Sequence, residues 1–205
     1  MYHGERFNSI SHLVGALLAV VGTVVLVVSA SRLGDPWRIV SFSVYGVMLS
    51  LLYICSTLYH SSRGDIKMTL QKWDHCAIYL LIAGSYTPFT LVTLRAGWGW
   101  ALFGVAWGLA VIGIVQEIWF AKGARNLSLV IYVAMGWLAL VAVKPLWQTL
   151  GWGGFGLLAG GGLLYTLGIF FYATDHKIKH GHGVWHLFVL GGSACHYFSI
   201  LYFVA

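Results

Sequence analysis

Charge is scarce in this sequence. Aspartate and glutamate number 6 and lysine and arginine 12 among 205 residues, 9% in all, where a soluble domain carries roughly a quarter. With 59% apolar residues, water is not the main solvent of the chain. Cysteine is scarce too, and Cys55, Cys76 and Cys195 all lie inside apolar runs. That placement argues against a disulfide framework and leaves the thiols as small buried hydrophobes. No apolar run is broken by a central proline and no internal repeat stands out, which counts against a transporter built from inverted repeats with broken helices. The net charge of +6 comes without a basic arm or an RNA-binding motif, so nucleic acid is not an expected partner. The runs also lack the polar stripe that lines a pore.

What the chain has in abundance is apolar length. A bilayer core of ~30 Å needs about 20 apolar residues in a helix rising 1.5 Å each. Seven runs meet or approach that length, at about 11–31, 39–60, 73–94, 98–119, 127–143, 152–174 and 184–204. The first, Ser11 to Ser31, has the flanks of a signal peptide but is long and is followed by six more, so it reads as a membrane span. The connectors carry breakers: GDP at Gly34 to Pro36, SSRGD at Ser61 to Asp65, and GWGGFG at Gly151 to Gly156. Glycines in the later runs suit close helix packing, and aromatics near run ends suit interfacial anchoring. The fold class expected is all-α, one seven-transmembrane helix bundle over residues 1–205.

Orientation follows from lysine and arginine, which cytoplasmic loops retain. With the N-terminus inside, Arg6, Arg63, Lys67, Lys72, Lys122, Arg125, Lys177 and Lys179 face the cytoplasm. Arg32, Arg38, Arg95 and Lys144 face outward. Eight against four places the N-terminus in the cytoplasm and the C-terminus outside. The positive charge is then a topology signal and an attraction to anionic lipid.

Ionisable groups within membrane spans are costly, so each is a functional candidate. Most here share one depth at the cytoplasmic end. His60 ends the second run within STLYH, Asp74 opens the third within KWDHC, and His182 and His186 open the seventh within HGVWH. The i, i+4 spacing of His182 and His186 sets their rings about 6 Å apart on one helix face, suited to one metal ion. His60 supplies a third imidazole. Three neutral imidazoles with a place left for water are the usual ligands of a catalytic zinc, though another divalent ion binds imidazole as well. Asp74 is then a candidate general base, and Ser56, one turn before His60, a candidate for orienting the site. Two plainer readings stand beside this one: histidines snorkelling at helix ends with Asp74 paired to Lys72 or capping the third helix, and ligation through Cys55 or Cys76 from another helix face.

These motifs resemble those of a known family. ERFNSISH at Glu5 to His12, STLYH followed by Asp74, and HGVWH at His182 to His186 look like the three ordered signatures of the progestin and adipoQ receptor family. The likeness spans nearly the whole chain. Because the first motif lies almost at the start, with no added soluble domain, the chain looks closest to the bacterial hemolysin III or TrhA-like branch. The resemblance implies seven helices with the N-terminus inside a bacterial plasma membrane. It implies zinc held at His60, His182 and His186, with a water toward Asp74. Kinship of that family with alkaline ceramidases implies hydrolysis of a lipid amide or ester, with membrane lipid as the partner and an acyl lipid as substrate. A membrane-stress sensor holding structural zinc is the alternative, and a pore-forming hemolysin the least expected.

The other polar residues have lesser assignments. Glu5, Asn8, Ser11 and His12 begin the first helix at the cytoplasmic mouth, as supports of the site or as a helix start capped by Asn8 or Ser9. His75 points about 100° around the helix from Asp74. His196, ten residues beyond His186 and roughly 15 Å deeper, reads as a packed or cavity-lining histidine. Glu117 is expected to pair with Lys122. Asp175, His176, Lys177, Lys179 and His180 read as a solvated cytoplasmic loop; a lid over the metal is a role open to it that the sequence does not show.

Overall fold

Polar punctuation cuts the apolar chain into helices much as anticipated. The computed structural model describes residues 1, 4–121 and 126–205, and all regular structure among them is helical. The first helix, α1, is Arg6–Leu33, closed by Gly34 at φ 67°, whose N–H reaches the Ser31 carbonyl at 3.2 Å. Glycine adopts this left-handed conformation without the Cβ penalty, so it ends a helix cheaply. Asp35 then caps α2, Pro36–Ser61, by accepting a hydrogen bond from the Trp37 N–H at 2.9 Å. Pro36 fills the first helical position, where its missing N–H costs nothing.

Helix α3 is Asp65–Pro88, starting well before the expected position 73. Asp74 therefore lies in the third turn of the helix and does not cap it. Pro88 occupies the last turn of α3, which runs on as a π-turn, Phe89–Thr93. Helix α4, Gly99–Val115, likewise ends in a π-turn, Gln116–Phe120. After the segment 122–125, which lies outside the described residues, come α5 (Asn126–Gly136), a 3-10 turn (Leu138–Ala142), α6 (Val143–Ala173) and α7 (Gly181–Phe203).

The expected loop at Gly151 to Gly156 is a helix broken at one residue. Only Gly151, at φ 63° and ψ −174°, leaves helical geometry within α6. The glycines after it are compatible with helix because an apolar solvent leaves their amides no better partner than the helix itself.

Six helical stretches among the described residues are long and apolar enough to cross a membrane: Arg6–Leu33, Pro36–Ser61, Asp65–Thr93, Gly99–Phe120, Asn126–Ala173 and Gly181–Phe203. The outward face of α1 is a sheet of exposed aliphatics, with Leu17, Leu18 and Val21 each more than half exposed, an apolar surface that only lipid or another protein covers. Inward, helices approach over small residues. A Cβ on Gly15 would meet the Tyr53 ring at 2.7 Å, and one on Gly113 would strike the Tyr79 ring. Phe42, Tyr45, Leu49, Leu52 and Tyr53 of α2 form the centre of the core. Helix α2 packs between α1 and α3, α6 packs along α7, and α7 returns to α1. This closure brings the first turns of α1 and α7 beside the last turn of α2.

Candidate metal centre

The last turn of α2 and the first two turns of α7 present three imidazoles to one another. Ring centroids are 5.0 Å apart for His60 and His182, 4.9 Å for His60 and His186, and 5.0 Å for His182 and His186. One nitrogen from each lies within 4.8 Å of the others. His60 and His186 are buried and His182 is half-buried. The turn that aims α7 is made by His180 at φ 62°, an uncommon conformation for a residue with a side chain.

Every ring of the triad is held by its Nδ1. His60 Nδ1 bonds Glu5 Oε2 at 2.7 Å, and His182 Nδ1 bonds Asp175 Oδ2 at 3.2 Å. His186 Nδ1 lies 3.1 Å from the Asn8 carbonyl and 3.2 Å from Ser11 Oγ. A proton held on Nδ1 by an oxygen acceptor leaves the Nε2 lone pair for a metal, the arrangement that orients metal-binding histidines. His60 Nε2 is buried without a hydrogen-bond partner. A buried polar atom left unpaired costs roughly 1–3 kcal/mol, and a cation between the rings removes that cost. The donor set of three imidazoles and its single orphaned nitrogen therefore fit a divalent ion such as zinc.

Glu5 anchors this arrangement. Besides His60 it takes Lys67 Nζ at 2.9 Å and Asn8 Nδ2 at 2.8 Å. Partial burial would raise its pKa, but the hydrogen bonds from His60, Lys67 and Asn8 prevail and hold the carboxyl well below the usual carboxylate range.

His12 is buried with its ring stacked on His186, centroids 3.6 Å apart, and edge-on to Tyr53 at 5.0 Å. Neither of its ring nitrogens makes a hydrogen bond, although the His186 main-chain carbonyl is near. Asp74 is buried, and buried Ser56 lines the same cavity. Lys72 does not pair with Asp74 but bonds the Ile118 carbonyl at 3.0 Å. Asp74, Ser56, His12, His182 and His186 share the wall of an internal cavity of about 210 Å³. The cavity continues between apolar side chains toward Leu94, Leu102 and Leu146. Cys55 and Cys76 line a different groove.

Glu117 is fully buried and bonded to His75 Nδ1 at 3.0 Å and Ser128 Oγ at 2.9 Å; Lys122, its expected partner, lies outside the described residues. Asp175 is a support of His182 rather than a free loop charge. The sequence contained a signal for Glu117, a carboxylate inside an apolar run. It contained none for Asp175, whose partner lies seven residues on across a turn. His196 bonds the Leu158 carbonyl at 3.2 Å and lines the cavity, as a packed histidine does. His180 packs edge-on against Phe7, centroids 6.2 Å apart.

Membrane-length helices with three converging, individually anchored imidazoles define a multi-pass membrane protein with a candidate metal centre. The sequence profile of the family described as Haemolysin-III related matches residues 1–197, and the chain belongs to that family. It is 45% identical over 201 residues to "Hemolysin-3" of Bacillus cereus, covering 98% of this chain and 91% of the relative. It is 46% identical over 200 residues to "Hemolysin-3 homolog" of Bacillus subtilis (strain 168), covering 97% and 93%. Across a far greater distance it is 31% identical over 205 residues to the human "Monocyte to macrophage differentiation factor", covering 94% and 81%.

Proposed function

We propose that this protein is a zinc-dependent intramembrane hydrolase that cleaves a lipid amide or ester and so serves membrane lipid homeostasis. The observation that carries the reading is the meeting of two unlike features on one wall. Two histidines of a triad with free Nε2 positions, together with buried Asp74 and Ser56, stand at the head of a largely apolar cavity. Zinc bound there would polarise a carbonyl and make water a nucleophile near neutral pH. Asp74 takes the proton of the attacking water, Ser56 fixes the carboxylate, and the apolar walls hold an acyl chain and exclude bulk water.

The topology that goes with this reading has seven spans. At 1.5 Å per residue the 48-residue stretch Asn126–Ala173 would run about 72 Å, more than twice a ~30 Å hydrocarbon core. Gly151 is where it divides into two spans. The N-terminus is then cytoplasmic, the C-terminus is outside, the protein resides in a bacterial plasma membrane, and the site lies at the cytoplasmic end where lipid arrives laterally.

The test is zinc analysis together with fatty acid release from ceramide-like and phospholipid substrates by the purified protein. Zinc at one per chain, lost in His60→Ala and His186→Ala, and turnover lost in Asp74→Asn are the expected results. Stoichiometric zinc with no turnover across a broad lipid panel would end the enzyme claim and spare the site. A second reading, a sensor of membrane stress with structural zinc, draws on the way Glu5, Asn8 and Ser11 tie α1 to ligands on α2 and α7. Under it, Asp74→Asn leaves the cellular phenotype intact.

A further inference from the structure

The cavity wall carries a second titratable group that the reaction above does not use. His75 follows Asp74 in α3 and lines the same cavity, with its side chain 10% exposed. Its Nδ1 is committed to Glu117 Oε1 at 3.0 Å, and Glu117 has no exposed surface at all. Ser128 Oγ donates to the other carboxylate oxygen at 2.9 Å, and the Tyr132 hydroxyl donates to the His75 carbonyl at 2.9 Å. Glu117 lies in the π-turn Gln116–Phe120 that ends α4, and Ser128 and Tyr132 lie on α5, so two other elements hold His75 in place. A salt link alone does not require this. A carboxylate that holds the Nδ1 proton of an imidazole makes Nε2 the exchangeable position, and here Nε2 is the nitrogen left to the cavity.

We propose that His75, oriented by Glu117 and Ser128, is the acid that protonates the departing group of the lipid. This rests on the hydrolase reading. The remaining titratable groups on that wall are Asp74, His12, His182, His186 and His196, with the phenols of Tyr86, Tyr132, Tyr165 and Tyr172. Of these, His182 and His186 belong to the metal triad, Asp74 receives a proton during attack, the Tyr86 and Tyr132 hydroxyls are given to main-chain carbonyls and that of Tyr165 is bonded to Ser193, and neither His12 nor His196 has a carboxylate behind its ring; His75 has one. The water oxygen bonds to the carbonyl carbon as its proton passes to Asp74. The bond from that carbon to nitrogen breaks, and the nitrogen takes the proton from His75 Nε2. Asp74 then returns its proton to Nε2, so the net transfer is from water to amine and both side chains end as they began. The other product is the free acid, which ionises to solvent. An acyl amide is therefore the substrate class that needs His75, because an amine anion does not leave unprotonated.

Two acyl probes with the same chain separate this role from packing. An anilide needs a proton on its leaving nitrogen, whereas a 4-nitrophenyl ester releases a stable anion. With zinc-loaded protein, His75→Gln is expected to slow the anilide by roughly 10²- to 10⁴-fold, the usual worth of a general acid. The ester should change by less than about threefold, since no proton transfer to it is at stake. Glu117→Gln should reproduce the split at about 10- to 100-fold, with Glu117→Asp nearer to wild type. In ¹⁵N spectra of the wild type the His75 ring should show a proton on Nδ1, and Glu117→Gln should shift that signal. Equal losses on both probes, or an unchanged anilide rate, would overturn the assignment. Wild-type protein that holds zinc and cleaves neither probe would instead remove the hydrolase reading beneath it.

Discussion

Replacing Glu5 by glutamine keeps the size of the side chain and an oxygen for His60 Nδ1, but it removes the charge shared by His60, Lys67 and Asn8. The His60 side chain is only 3% exposed and its contact to Glu5 is 2.7 Å, so this bond is short and poorly hydrated. Outer carboxylates behind metal-binding histidines are worth 10- to 100-fold in affinity, or about 1.4–2.8 kcal/mol. Glu5→Gln should fall in the upper half of that range. The bond from Asp175 to His182 is longer, 3.2 Å, between side chains 39% and 27% exposed. Solvent screens it, and Asp175→Asn should cost about tenfold or less. Ser11→Ala should cost least, because the Asn8 carbonyl remains for His186. Competition between the purified protein and a chromophoric chelator, in detergent or lipid discs, gives the three zinc constants directly. Zinc binding to Glu5→Gln within twofold of wild type, or an inverted order among the three variants, would refute the reasoning.

Three further outcomes are expected. Asp74→Asn should retain zinc, by metal analysis, while turnover of an acyl amide falls by roughly 10²- to 10⁴-fold. Gly113→Ala would push a methyl group into the Tyr79 ring; it should cost about 1–3 kcal/mol, seen as a lowered unfolding temperature, without changing zinc affinity. Asp35→Ala should cost about 1 kcal/mol at neutral pH through the lost helix cap, with little from the solvent-screened Arg38 pair. Although its slight burial acts to raise it, hydrogen bonds from Trp37 and Arg38 lower the Asp35 carboxyl below its ordinary value of 3.8. Its contribution is thus fully present above that pH and is lost as pH falls through the lower folded value, so the gap between wild type and variant should close in acid.

Helices were legible in the sequence because lipid makes the rule strict: long apolar runs separated by charge and glycine have few other folds open to them. The triad was legible for a similar reason, since topology alone carries His60, His182 and His186 to one end. Helix starts were read less well. Residues 65–72 looked like a loop because of their charges, yet Lys67 and Lys72 sit on α3 and find partners on α1 and in the π-turn after α4. The pairings were not legible at all. Which acceptor holds each Nδ1 depends on distances between helices, and neither the bond from Glu5 to His60, 55 residues apart, nor that from His75 to Glu117, 42 apart, leaves a periodic trace. The π-turns, one of which carries Glu117, are equally silent in composition.

The anchoring of the triad from both ends of the chain has a consequence for biogenesis. Glu5, Asn8 and Ser11 leave the ribosome about 170 residues before His182 and His186. No ion can meet all three imidazoles until α7 has been threaded and has docked against α1. Metal loading thus marks the docking of α7 on α1, and a chain stalled after α6 would present the cell with His60 and its carboxylate but no trap for zinc.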